Sequence, residues 1–289
     1  RLGHWRAHGA ELSPVAALAS ADGTGSIQGT VIDAETTNPI EGIEVCANRM
    51  DGGEGGDFES TDGAGDYAIT ELPGGEYEVH FSGESCVAGS CNHEWNEIYF
   101  DGKQMNEEAT SVQVDEGQPT EDIDAALQAF GAIAGTIESN SPGGPIANAV
   151  ICVDGANGLY HGACALADEH GEYTIGELPP GEYDIEFTGW ICDSGSAGCT
   201  KEDCELEGPC THPYVAQYYL EKPIFNPEEL QTVSVISRQT APGIDATLSR
   251  GGTIEGTVTL AALGDPPLAG IAVCVSSEVD QVEGRCVMT

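Results

Sequence analysis

The chain has 289 residues, with 49 Asp and Glu against 9 Lys and Arg, a formal charge of −40. A nucleic-acid site needs a cationic surface to neutralise phosphates, and anionic lipid repels such a chain as well, so neither is an expected partner. No apolar run reaches the roughly 18 residues of a membrane-spanning helix, so no direct membrane insertion is expected, and 40% hydrophobic residues suffice for packed cores.

The three lysines, Lys103, Lys201 and Lys222, leave a carboxylate coat of the kind that stays soluble at high salt, where screening removes self-repulsion. Eleven cysteines point to an oxidising, extracytoplasmic compartment. The chain opens at Arg1 and its first 20 residues lack the apolar core of a signal peptide, so a mature form or a fragment is expected.

In chain order, residues 1–25 match nothing later and read as a linker or the tail of a preceding region. Then a repeat begins. SIQGTV (26–31), AIAGTI (132–137) and TIEGTV (253–258) are the same segment, with Ile27, Ile133 and Ile254 spaced 106 and 121 residues apart. PIEGIEVCA (39–47) parallels PIANAVICV (145–153) and PLAGIAVCV (267–275), and GDYAITELPGGEYEVHF (65–81) parallels GEYTIGELPPGEYDIEF (171–187). IDAAL (123–127) parallels IDATL (244–248). The units run 26–129, 130–249 and 250–289, the last truncated.

Each unit reads as short strands with alternating or β-branched residues between Gly, Pro and Asp punctuation. In Leu-Pro-x-Gly-x-Tyr, Pro fixes φ, Gly supplies positive φ, and Tyr re-enters a strand with its ring on the core, a predicted hairpin. The stretch 121–135 reads as a final strand, a short linker and the next first strand rather than a helix. About seven strands per ~105 residues predict an all-β chain of tandem seven-stranded β-sandwiches.

The pattern G-x-I/V-x-G-x-V, P-x-x-x-V-x-V, G-x-Y-x-I-x-x-L-P-x-G-x-Y resembles carboxypeptidase regulatory-like domains. These are transthyretin-like, Ig-like sandwiches related to the B-type repeats of bacterial surface adhesins. The resemblance covers nearly all of 26–249 and what is present of 250–289, and YYLEKP (218–223) resembles the family's Tyr-Tyr strand. It implies the fold and says little of function. The Lys–Asn isopeptide bond of many adhesin repeats is not expected, because Phe81 and Phe187 stand where the family has an acid and no first strand carries a lysine.

Aligning the units organises the cysteines. Cys152 and Cys164 are 12 apart, as are Cys274 and Cys286. Cys86 aligns with Cys192 and Cys91 with Cys210, and the second unit's insertion holds Cys199 and Cys204. The expected bridges are Cys86–Cys91, Cys152–Cys164, Cys192–Cys210 with Cys199–Cys204 nested inside, and Cys274–Cys286. Cys46 is left unpaired, because Phe58 replaces its partner. The alternative is zinc at Cys86, Cys91 and His93, or at the second unit's cysteines with His212; the absence of any Cys-x-x-Cys counts against it.

Calcium is the cofactor candidate, through Asp62, Asp66, Asp168 and Glu169 in one loop of each unit, with a solvated acidic face as the alternative. No catalytic motif such as G-x-S-x-G or H-E-x-x-H occurs; a His93, Glu94, Ser85 grouping rests on loop proximity alone. Trp95, Tyr99, Trp190 and Tyr218 lie in or beside the cysteine-braced loops, where they either bind a glycan or protein or cap the core. The expected function is a non-enzymatic, structural or adhesive segment of an extracellular or cell-surface protein. The alternative is accessory domains of a larger secreted hydrolase.

Overall fold

The computed structural model describes residues 23–51, 56–104, 108–156, 162–192, 210–223, 230–261, 266–275 and 285–289. The chain divides into two compact units, 1–129 and 130–289.

The first unit contains β1 (Thr24–Asp33), β2 (Ile43–Arg49), β3 (Asp57–Ser60), β4 (Asp66–Pro73), β5 (Gly75–Val87), β6 (Ser90–His93), β7 (Ile98–Tyr99), β8 (Val112–Val114), β9 (Pro119–Thr120) and β10 (Ala125–Leu127). Two sheets form. In one, β1 lies between antiparallel β4 and the parallel pieces β9 and β10. In the other the order is β3-β2-β5-β6. The thirteen residues of β5 pair successively with β8, β7 and β6.

Period-two patterning sets which side is buried. Ile43, Val45 and Ala47 of β2 and Tyr77, Val79 and Phe81 of β5 are fully buried, facing Ile27, Val31, Ile69 and Leu127 of the first sheet. Charged residues take the alternate positions, as Glu44 does in β2.

Leu-Pro-x-Gly-x-Tyr is not a hairpin. β4 pairs with β1 and β5 with β2, so this motif carries the chain from one sheet to the other. The Tyr77 hydroxyl donates to the Pro73 carbonyl at 2.8 Å, tying the crossing corner back on itself as in Ig-type sandwiches. Left-handed conformation falls earlier than expected, at Glu71 (φ 62°), inside a bulge of β4 opposite Ser26.

The second unit contains β11 (Gly131–Ser139), β12 (Gly144–Pro145), β13 (Ala149–Gly155), β14 (Ala163–Leu166), β15 (Glu172–Leu178), β16 (Gly181–Cys192), β17 (Cys210–Thr211), β18 (Gln217–Tyr218), β19 (Lys222–Pro223), β20 (Val233–Val235), β21 (Thr240–Ala241) and β22 (Ala246–Leu248). β11 pairs with β15 as β1 does with β4, and β13 with β16 as β2 does with β5. Ile133, Ile137, Ile151, Val153, Leu178 and Phe187 are fully buried. Tyr183 repeats the corner, donating to Pro179 at 2.7 Å, and Glu177 (φ 54°) repeats the bulge.

Beyond residue 249 the described residues form one two-stranded hairpin, β23 (Ala272–Val275) with β24 (Arg285–Met288). Ile254 is 78% exposed, whereas Ile27 and Ile133 are wholly buried.

Candidate functional site

The cysteine-braced ends come first, because β5 and β16 both run past the sandwich into them. Cys86 of β5 stands directly opposite Cys91 of β6, across a turn whose central residues Ala88 (φ 52°) and Gly89 (φ 82°) are both left-handed. The structure joins Cys86 to Cys91, Cys152 to Cys164, Cys192 to Cys210 and Cys274 to Cys286. Each pair sits at directly opposed ladder positions. Cys199 and Cys204 lie outside the described residues.

This pairing leaves no thiolate for zinc at Cys86 and Cys91. Among the described residues, the one grouping of three or more metal-type ligands is Glu84, Cys86 and Cys91, exposed and with both sulfurs bonded to each other. His93 lies opposite Glu84 in the ladder. The Ser85 hydroxyl donates to the Glu41 carbonyl at 2.7 Å, which ties the proton a nucleophilic serine would have to give up.

Cys46 stands opposite Phe58 on one side and His80 on the other. Its thiol approaches Glu44 at 3.6 Å; burial, then the nearby Glu44 charge, pushes its pKa up to about 11, so it is protonated at neutral pH.

In each unit the calcium candidates are engaged by groups of the fold. Asp62 Oδ1 accepts from the amides of Ala64 and Asp66, closing its own turn. Asp168 Oδ1 does the same for His170 and Glu172, and these two hydrogen bonds lower its pKa. Asp66 accepts from the Thr30 hydroxyl instead, and Glu169 lies 3.6 Å from His170. The spacing that suggested ligands is the spacing of a self-closing turn.

The aromatic candidates separate. Trp95 is 7% exposed, within the first core and bridged to Ala129, the placement of the core-capping alternative. Tyr99 packs against the half-buried His80 ring at 4.9 Å. Trp190 is half-buried and meets His212 edge-to-face at 4.9 Å, beside Cys192–Cys210. Tyr218 pairs with Glu186 and Lys222 across neighbouring strands.

Sequence reasoning missed the most ordered polar arrangement in each unit. Tyr67 stands opposite Gly29, and its hydroxyl donates to the Ile123 carbonyl at 2.6 Å. A Cβ on Gly29 would lie 2.0 Å from that same carbonyl oxygen, so only glycine admits the approach. Next to it, Asp124 accepts from the Thr30 amide at 2.8 Å; desolvation raises its pKa, with the Asp122 and Asp66 charges adding to the rise against that hydrogen bond. Tyr173, Gly135, Ile244, Asp245 and Thr136 repeat the set, with Tyr173 donating to Ile244 at 2.6 Å. Burial, then a neighbouring aspartate, raises both tyrosine pKa values far above the ordinary range. The signal was available in Gly-Asp/Glu-Tyr and Ile-Asp-Ala, which occur in both units.

Residues 26–128, which hold this corner, bulge and glycine seat, match one family model. That model is the carboxypeptidase regulatory-like domain. No curated protein matches the chain. Among solved structures, the chain is similar to the minor pilin GBS52 of Streptococcus agalactiae, at 13% identity over 80% of this chain and 98% of that one, with a TM-score of 0.41. A streptococcal ancillary pilin is similar at 15% identity over 81% of this chain and 64% of that one, with a TM-score of 0.39. The shaft pilin SpaA from Lactobacillus rhamnosus GG is similar at 8% identity over 80% and 99%, with a TM-score of 0.27. Identities and scores this low carry no functional conclusion. Among the described residues, no helix is long and apolar enough to cross a membrane.

Proposed function

We propose that this chain is a structural, non-catalytic segment of an extracellular or cell-surface protein. Its sandwiches act as disulfide-braced, regulatory-like modules in series, 26–129 and 130–249, with a third repeat at 250–289. One observation carries this reading: among the described residues, several of the groups able to do chemistry are used inside the fold. Asp62 and Asp168 close their own turns, Tyr67, Tyr77, Tyr173 and Tyr183 pin backbone carbonyls, and eight cysteines lock neighbouring strands. Bridges of this number suit an oxidising compartment, and the acidic coat keeps such modules soluble.

Pulling single molecules from both ends tests it. Two separate unfolding events are expected. Reduction should lengthen the second unit's event by about 100 Å, since its bridges have sequence separations of 18 and 12 and each residue extends ~3.5 Å. A single low-force event, unchanged by reductant, would contradict the reading.

Ligand binding at the Trp190–His212 end is the second reading, supported by a part-exposed indole held edge-to-face beside a disulfide. Such a module would serve as an accessory domain that holds a glycan or a protein. Screening wild type against Trp190→Ala decides it: loss of a bound glycan or partner supports binding there, and identical profiles remove it.

A further inference from the structure

Side chains two apart on a strand share a face, so each bridged cysteine pair has a neighbouring pair on its own side of the ladder. Beside Cys152–Cys164 that pair is Val150 and Leu166, and beside Cys274–Cys286 it is Ala272 and Met288. Trp190 meets His212 beside Cys192–Cys210. Beside Cys86–Cys91 the neighbours are Glu84 and His93.

One face of β5 and β6 thus carries two sulfurs, a carboxylate and an imidazole at adjoining ladder positions. The ligand atoms of Glu84, Cys86 and Cys91 lie within 4.8 Å of one another, and His93 stands opposite Glu84. All four residues are exposed. Cys192, by contrast, is wholly buried and Cys152 is 1% exposed, so a dissolved reductant reaches Cys86–Cys91 before either of those bridges. The turn at Ala88 and Gly89 closes the ladder beside the two cysteines and keeps them opposed once their bond is opened.

We propose that Glu84, Cys86, Cys91 and His93 form a redox-gated site for one zinc-class divalent cation. A thiol reductant opens the bridge: two reductant thiols supply two electrons and two protons, yielding the Cys86 and Cys91 thiols and the reductant's own disulfide. Zinc then takes both sulfurs as thiolates and releases those two protons, while the His93 imidazole and a Glu84 oxygen complete a tetrahedral set of four. In the oxidised chain the sulfurs are bonded to each other and the site is closed. The proposal concerns the reduced hairpin and does not depend on the structural role argued above.

The test uses the whole chain, a phosphine reductant and Co2+ as the spectroscopic stand-in for Zn2+. Peptide mapping during reduction should show Cys86–Cys91 opening before Cys192–Cys210. At that point one Co2+ per chain should bind, giving a thiolate charge-transfer band and the visible bands of tetrahedral cobalt, both bleached by zinc and both absent from the oxidised chain. Glu84→Gln and His93→Gln should each weaken Co2+ binding at least about tenfold, and the double substitution Cys86→Ser, Cys91→Ser should abolish it. All of these variants should melt with the reduced wild type, because the four side chains are exposed. Four outcomes would overturn the proposal: Cys192–Cys210 opening first, no thiolate band once Cys86–Cys91 is open, a band that persists in the double serine variant, or unchanged affinity in Glu84→Gln and His93→Gln.

Discussion

The Tyr67 hydroxyl donates to the Ile123 carbonyl at 2.6 Å across 56 residues of sequence, and the same carbonyl oxygen presses on Gly29. This latch ties β4 and the approach to the last strand of the first sandwich to its first strand. Tyr67→Phe keeps the ring and leaves a buried carbonyl unpaired, at a cost of about 1–2 kcal/mol, or roughly 5–10 °C in the first unit's melting temperature. Tyr173→Phe should do the same to the second unit. Gly29→Ala should cost more than Tyr67→Phe, because the obstacle at 2.0 Å is backbone. Calorimetry on the three variants checks the order; an unchanged first transition in Tyr67→Phe would contradict the latch.

Cys46 faces Phe58 at the ladder position where Cys152 faces Cys164. Phe58 is 59% exposed, so replacing it removes little packing. The substitution Phe58→Cys is expected to form a disulfide with Cys46 spontaneously in air and to stabilise the first unit by about 3 kcal/mol, from the entropy of a loop of this length. Reductant should return the melting temperature to that of wild type. A free thiol persisting at both positions would show that the register differs.

Much of this was legible in the sequence, and the reasons differ by residue. Ile27, Ile133, Val45 and Phe81 follow from period-two alternation, and the repeat placed them twice. Cys152–Cys164 and Cys274–Cys286 followed from equal spacing in two units, and Cys86–Cys91 and Cys192–Cys210 from aligned positions despite unequal spacing. The latch did not, because the repeated Gly-Asp/Glu-Tyr and Ile-Asp-Ala motifs lie far apart in sequence and nothing in their spacing pairs the tyrosine hydroxyl with the isoleucine carbonyl. Trp95 looked like a loop aromatic, yet the chain after β6 folds back so that its amide bonds Gly83 and its ring fills the core end. Asp62 and Asp66 looked like ligands because an Asx-type turn and a calcium loop use the same residue types at the same spacing.

Asp124 titrates against stability. Its folded pKa is raised, chiefly by desolvation, so folding favours the protonated carboxyl. That contribution is fully present below the unfolded pKa near 4 and is lost as pH rises through the higher folded value. Asp124→Asn retains an oxygen for the Thr30 amide and removes the charge. It should melt above wild type at pH 7, with the gap closing towards about pH 3. A gap that widens on acidification would reverse the sign and contradict the assignment.

The formal charge of −40 sets the salt response. Raising salt from about 0.1 to 1 M shortens the screening length from ~10 to ~3 Å, so melting temperatures of both units should rise monotonically. Matching the salt response with calcium at equal ionic strength should give no extra gain, since Asp62 and Asp168 are engaged in their own turns. A calcium-specific rise reversed by chelator would show a site at these loops.

The central claim is that the cysteines brace strands and do no chemistry. Peptide mapping of the native chain by mass spectrometry, without reductant and with thiols alkylated first, tests it most directly. Linked peptides are expected for Cys86–Cys91, Cys152–Cys164, Cys192–Cys210 and Cys274–Cys286, with Cys46 recovered as a thiol. Alkylation of Cys86, Cys91, Cys192 and Cys210 in the native chain, or a zinc ion released from them on denaturation, would contradict it.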